Sequence, residues 1–190
     1  MAEGTLQLQT ANLVADNVTA GSGAGGGAHI TLRDSTATIT DGFVLTNGDL
    51  LLDNSLMTVA NAFALGAGAA LNIDIDGLLR GSEYGAIDAG LATLAGVLAV
   101  DFTDFVPLGD SIVFDLLRSG SIDGIVGEFD SFLYTGLLSG YSVFAGVELD
   151  GVEIYRLRLT RQGVPEPTTW ALMVFGLMGV FAVRRVRVSR

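Results

Sequence analysis

The sequence contains no cysteine, no lysine and a single histidine, His29. Without cysteine there is neither a disulfide framework nor a thiolate nucleophile. With one histidine and no thiol, neither a Ser-His-Asp triad nor a zinc site can be assembled. His29 itself lies in the alternating stretch "GAHITL" and reads as a strand residue. The expectation is therefore a protein that is not an enzyme and carries no cofactor. Charge is also scarce, at 16% of residues, and unbalanced. Up to Glu166, six arginines face all 21 acids, leaving −15; four more arginines in the tail bring the chain to −11. A body this acidic repels a phosphate backbone, which argues against nucleic acid as a partner. Residues 1–8 lack the basic n-region and apolar h-region of a secretory signal peptide. Strand-like alternation already starts at Thr5, so the expectation is an N-terminus truncated within a longer repeat domain.

Glycine, in contrast, is plentiful, with 26 residues, and it punctuates a repeat. Short alternating stretches follow Gly4 ("GTLQLQ"), Gly27 ("GAHITL"), Gly48 ("GDLLLD"), Gly68 ("GAALNIDID") and Gly96 ("GVLAVDF"), at spacings of 23, 21, 20 and 28 residues. Alternation marks half-buried strands. Leu71, Ile73 and Ile75 share one face, and Asn72, Asp74 and Asp76 the other. Weaker strand-like pieces, "STATIT" and "LMTVA", lie between them. A repeat of 20–25 residues with two or three short strands predicts an all-β fold, a parallel β-helix or β-solenoid in which stacked rungs form the core. A β-sandwich or jelly roll with coincidental spacing is the alternative.

Three small motifs compete with this structural reading. "GSGAGGG" at 21–27 satisfies G-x-G-x-x-G, but the strand-like "AHITLRD" follows where a dinucleotide fold needs a helix, so a loop between rungs is expected. "NIDIDGLLRGSE" places Asn72, Asp74, Asp76 and Glu83 at the spacing of an EF-hand loop, a weak metal candidate. Asn72 replaces the first Asp, Arg80 sits where a ligand or its support is usual, and the flanks are strand-like. A solvated strand face explains the same acids, and no metal is expected. "TATIT" sets Thr36, Thr38 and Thr40 on one face. An ice-binding ladder needs that pattern on several rungs, which Gln7, Gln9, Asp53 and Asn72 interrupt.

The end of the chain has a different chemistry. Residues 168–183 form 16 positions without a charge, followed by four arginines in the last seven. As a helix the run spans about 24 Å, a little short of the ~30 Å hydrocarbon core. Snorkelling arginines extend it. Trp170, Leu172, Phe175, Leu177 and Phe181 are the candidate membrane-facing residues. The positive-inside rule puts the tail in the cytoplasm and everything before Pro165 across the membrane. A buried core helix is the alternative.

Val164-Pro165-Glu166-Pro167, the Trp170-led apolar run, and Arg184-Arg185 together resemble the PEP-CTERM sorting signal of bacterial surface proteins. A segment of this kind is also called an ice-binding protein C-terminal domain. The resemblance implies recognition by exosortase, a membrane cysteine protease-transpeptidase, with processing near Pro165, Glu166 and Pro167. Those residues and Arg184 and Arg185 are then a substrate signal. A permanent anchor is the alternative. Separately, the region 71–129 resembles the end of passengers with autotransporter-type β-helix repeats, through Tyr84, Leu98, Val100, Phe105, Gly109, Phe114, Leu116, Gly127 and Phe129. That implies a β-helix ending in a few longer strands. "GVELDGVEIYRLRLT" at 146–160 then reads as a capping hairpin turning at Asp150-Gly151.

The expected organisation is rungs over 1–95, terminal strands over 96–160, a linker over 161–167 and a transmembrane helix with basic tail over 168–190. The expected function is an exported structural or adhesive protein of the cell surface or biofilm matrix. Its partners would be exosortase, transiently, the membrane before processing, and extracellular polysaccharide. A carbohydrate-active solenoid of the same matrix is the alternative.

Overall fold

The computed structural model describes residues 4–21 and 27–162. Among the described residues there are fourteen strands and no helix, hence none long and apolar enough to cross a membrane. The expected C-terminal helix lies outside them, as does most of the glycine-rich loop at 21–27.

The strands fall into three stacks. The first holds β1 (Gly4–Gln9), β4 (Ala28–Arg33), the second half of β6 (Gly42–Asp53), the last part of β7 (Leu56–Asp74), β9 (Val97–Asp101) and β12 (Ser131–Thr135), each parallel to the next. The second holds β2 (Asn12–Ala15), β5 (Thr36–Ile39), the start of β7, the start of β8 (Ala86–Leu94) and the end of β10 (Ser111–Ser119). The third holds β3 (Val18–Ala20), the start of β6, the middle of β7, the end of β8 and β11 (Ile125–Gly127). β6, β7 and β8 run from one stack into the next, which joins all three into one sheet. The chain visits the stacks in the same order on each pass. Gly4 pairs with Ala28, Ala28 with Gly48 and Gly48 with Ala69, so the first three passes take 24, 20 and 21 residues.

Alternation within each pass creates the core. Leu32, Leu52, Ile73 and Val100 lie one above another in the first stack and are almost fully buried. Phe43 and Phe63 do the same in the third, with rings stacked at 5.3 Å and 11°. Each such side chain contributes about 1.5–3 kcal/mol by leaving water, and the parallel register multiplies that gain along the stack.

Corners are fixed by polar ladders. Thr10, Asp34 and Asn54 all take positive φ at the same corner, a conformation that Asp and Asn tolerate through local hydrogen bonding. The serines that follow turn inward. Ser55 Oγ accepts from the Ser35 amide at 3.0 Å and donates to the Asp53 carbonyl at 2.6 Å. Ser35 Oγ repeats the arrangement with the Ala11 amide and the Arg33 carbonyl. At the next corner, Asn17 and Asn61 each donate to Asp41, at 2.8 and 2.7 Å. Those two bonds hold the Asp41 carboxyl below its usual range, Asn61 being the larger cause.

Parallel stacking continues past residue 95, through β9 and β12 to residue 135. Only then does the pattern change. β13 (Tyr141–Asp150) and β14 (Val152–Arg161) form an antiparallel hairpin around Asp150-Gly151, and β14 pairs antiparallel with β10. Arg156 joins this end together, bonding Asp115 at 2.7 Å, Glu148 at 3.1 Å and Asp150 at 2.9 Å.

Candidate functional site

The outer face of the first stack carries the most unusual side chains of the described body. Parallel register places Arg33, Asp53, Asp74, Asp101 and Thr135 in one line across five adjacent strands. Neighbouring strands lie about 4.8 Å apart, so three carboxylates follow one another at close range with one arginine at the end. Asp49 and Asn72 stand beside this line, and a shallow groove of about 530 Å³ runs over it.

The electrostatics follow from that geometry. Arg33 approaches Asp53 at 3.3 Å, yet partial burial, then Asp76 and Asp34, still raise the Asp53 carboxyl. Among the described residues Asp74 has no cation paired with it. Burial first, then repulsion from Asp53, Asp76 and Asp101, pushes it up to about 6, against a smaller opposing bond from the Ile75 amide. Asp101 goes the other way. The Thr103 hydroxyl at 2.5 Å and amide at 2.9 Å stabilise its charged form. The line thus runs from Asp101, held below the usual carboxylate range, to Asp74, raised to about 6. Its negative charge favours cations over anions, and Asp74 titrates closer to neutrality than an ordinary aspartate.

The four residues with EF-hand spacing separate. Asn72 and Asp74 face this groove. Asp76 accepts from Asn54 Nδ2 at 2.9 Å, and Glu83 turns back to accept from the Leu78 and Leu79 amides at 2.8 and 3.0 Å. Glu83 therefore closes a turn. Arg80, in the same loop, donates to the Asp115 and Ile87 carbonyls and pairs with Asp88. Among the described residues no group of three or more ligating side chains is arranged to hold a metal ion.

His29 is an exposed residue of β4, and its ring bonds Asp49 on the next strand. Thr36, Thr38 and Thr40 are exposed, but their neighbours in line differ. Thr38 lies between Val14 and Thr58, and Thr36 between Asn12 and Leu56. Asp53 and Asp101 escaped the motif search because they belong to other passes. Superposing "LLLD", "NID" and "AVD" on their shared final aspartate would have found them. Pro165, Glu166, Pro167, Trp170, Leu172, Phe175, Leu177, Phe181, Arg184 and Arg185 lie outside the described residues.

Comparison with known families finds one match: residues 163–187 fit the model of the PEP-CTERM protein-sorting motif. No curated protein and no solved structure matches the chain. The motif implies exosortase-dependent sorting, with export to the cell surface or extracellular space.

Proposed function

We propose that the chain is a structural or adhesive β-solenoid of the cell surface or extracellular matrix, delivered there as an exosortase substrate. The sorting motif at 163–187 carries this reading. The body supports it. Coils stacked in parallel register make a stiff unit, and its wide outer faces bear side chains that the core does not use. In this reading rungs and terminal strands occupy 1–160, 161–167 is a linker, and 168–190 spans the membrane until processing. Trp170 sits at the outer interface, Leu172, Phe175, Leu177 and Phe181 in the hydrocarbon, and Arg184 and Arg185 in the cytoplasm. The arginines hold topology, because a cationic side chain at the bilayer centre costs about 2.5–3.5 kcal/mol on insertion scales. The two prolines lack the N–H a helix needs and restrict the residue before them. They keep Pro165, Glu166 and Pro167 extended at the outer face, the form a protease can engage.

The body is not an enzyme in this reading. The acidic line favours one second reading, a carbohydrate-active solenoid in which Asp74 acts as the proton donor. Asp74→Asn separates the two: an adhesive role survives it, and glycan depolymerisation does not.

The sorting reading is tested by expressing the chain behind a secretory signal peptide in a host with exosortase. Glu166→Ala should accumulate in the membrane fraction unprocessed. Arg184→Ala with Arg185→Ala should lose orientation before processing. If both variants reach the medium like the parent, the signal is not read.

A further inference from the structure

The chain leaves the described body at one corner, and that corner is apolar. At the end of β14 the Arg161 amide donates to the Asp110 carbonyl at 2.8 Å, and the Gln162 amide to the Gly140 carbonyl at 2.6 Å. Tyr141 Oη donates to the Gly109 carbonyl at 2.9 Å. The loops that lead into β10 and β13 therefore flank the exit on either side. Each presents large apolar side chains to solvent: Val106 and Leu108, 68% and 90% exposed, and Leu138, 48% exposed. Phe144, also exposed, follows on β13.

These side chains are held outward by the structure around them. Phe105 is buried with its ring against Phe114 at 5.3 Å, and it anchors the first loop so that Val106 and Leu108 project. Gly136 and Gly140, both at positive φ, turn the second loop, and the Tyr141 amide closes it on the Leu138 carbonyl at 3.3 Å. Charge is missing here too. No acid or arginine stands between Asp104 and Asp110 or between Asp130 and Glu148. Asp110 itself is answered by Arg161 at 3.6 Å. A nearly neutral, apolar rim thus surrounds the exit of an otherwise acidic body.

We propose that, while the apolar run still anchors the chain, Val106, Leu108 and Leu138 dip into the outer face of the lipid bilayer and hold the solenoid against it by its exit corner. This rests on the reading of 168–190 as a membrane span. Reach selects the occupant. From Gln162 to Thr168 there are six steps of chain, at most about 22 Å when fully extended. The exit corner stays close to the bilayer, so lipid is the apolar surface these side chains meet first. The far end of the hairpin is placed differently. Ile122 is just as apolar and 60% exposed, but its neighbour Ser121 accepts from the Glu153 amide at 3.4 Å. Glu153 is eight residues along β14 from Arg161, about 27 Å away.

Interfacial apolar groups sink roughly 5–10 Å into the boundary between headgroups and acyl chains. Three side chains make a weak contact by themselves, and stable attachment takes a second anchor. The apolar run supplies it. Once the run is cut away the loops let go, so docking lasts as long as the sorting signal has to be read. With the corner seated, Pro165, Glu166 and Pro167 are confined to the lipid surface between two points of contact.

The chain has one tryptophan, Trp170, and no cysteine, which gives two independent probes. The full chain with Leu138→Cys or Ile122→Cys, labelled with nitrobenzoxadiazole, is reconstituted in phosphatidylcholine vesicles. A spin-labelled phosphatidylcholine that quenches just below the headgroups is then included. Trp170 should be quenched in both variants. The label at Leu138 should be quenched at least about three times as strongly as the label at Ile122, because only the former lies at the boundary. Adding Leu108→Asp should bring the Leu138 label down to the level of Ile122 and leave Trp170 quenched. A quenched Trp170 with equal quenching of the two labels overturns the proposal and leaves the membrane span standing. The body then hangs free, or a second copy or another protein covers the corner. An unquenched Trp170 removes the span, and the proposal with it. Strong quenching at Leu138 that survives Leu108→Asp overturns the proposal as well, since the short tether alone would then bring the label to the lipid.

Discussion

The stacked coils and the C-terminal hairpin solve one problem, holding strands together, by different physics. In the coils, adjacent strands belong to passes 20 to 24 residues apart at first and 27 to 34 further on, and each apolar side chain lies on its equivalent in the next pass. Stability there comes from burial, plus hydroxyl ladders that satisfy the corners. In the hairpin, β14 packs Ile154, Tyr155, Leu157 and Leu159 into the core, but the outer strand β13 has no fully buried side chain, and Arg156 ties its Glu148 and Asp150 to Asp115 of β10. The coils should be insensitive to salt and slow to open. The hairpin should be salt-sensitive and open first.

The largest effect expected is from Phe63→Ala. Phe63 is fully buried on Phe43, and such truncations cost about 3–5 kcal/mol. The melting midpoint should fall by on the order of 10 °C, equally at low and high salt. A loss of only a degree or two would mean that the stack collapses around the gap.

Ser55→Ala should come next. It removes the acceptor for the buried Ser35 amide, a loss of about 1–3 kcal/mol. Denaturant melts of the single and of the Ser35→Ala, Ser55→Ala double variant should show nearly additive losses, because Ser35 Oγ serves the Ala11 amide and Ser55 Oγ the Ser35 amide.

Arg156→Ala should cost about 1–2 kcal/mol, since the pairs are partly solvated. Its signature is regional. Hydrogen exchange should accelerate in β13 and β14 and leave β4 to β7 unchanged, and 0.5 M salt should weaken the parent's hairpin in the same way. Uniform acceleration would erase the distinction between the two regions.

The smallest effect is in pH. Asp74 is raised to about 6 in the folded chain, so its contribution is complete below about 3.8 and lost as pH rises through 6. Stability should therefore increase on acidification from pH 7 to 5, by less than about 1 kcal/mol after solvent screening. Asp115 and Glu148 act oppositely. Burial would raise Asp115, but Arg156 and Arg118 win and lower it, and Arg158 with Arg156 lowers Glu148. Their contributions disappear at more acid pH, as each carboxylate protonates. Asp74→Asn should flatten the rise between pH 7 and 5 and leave the acid loss in place.

How much of this was readable in the sequence depended on whether the determinant was local. The glycine-led alternation at Gly4, Gly27, Gly48, Gly68 and Gly96 anticipated β1, β4, the second half of β6, the end of β7 and β9, because period 2 is written in consecutive residues. The Asp150-Gly151 turn was equally local. Ser35, Ser55, Asn17 and Asn61 were silent, since a corner ladder is one hydrogen bond between residues 20 to 24 apart. The acidic line was half visible: Asn72 and Asp74 stood out, whereas Asp53 and Asp101 join them only through register. Glu83 looked like a ligand at position twelve of a loop, but a strand entering a tight turn needs an acceptor for the Leu78 and Leu79 amides more. The sorting motif was legible throughout, because an enzyme reads it as a linear segment.

The measurement that tests the central claim most directly is the intact mass of the chain recovered from a host with exosortase and from its knockout, in each case expressed behind a secretory signal peptide. With the enzyme, the released protein should end near Pro165, Glu166 and Pro167 and lack the apolar run and the four terminal arginines. In the knockout, the chain should retain both and sediment with membranes. The same full-length mass in both hosts would contradict the account and leave a permanently anchored surface protein in its place.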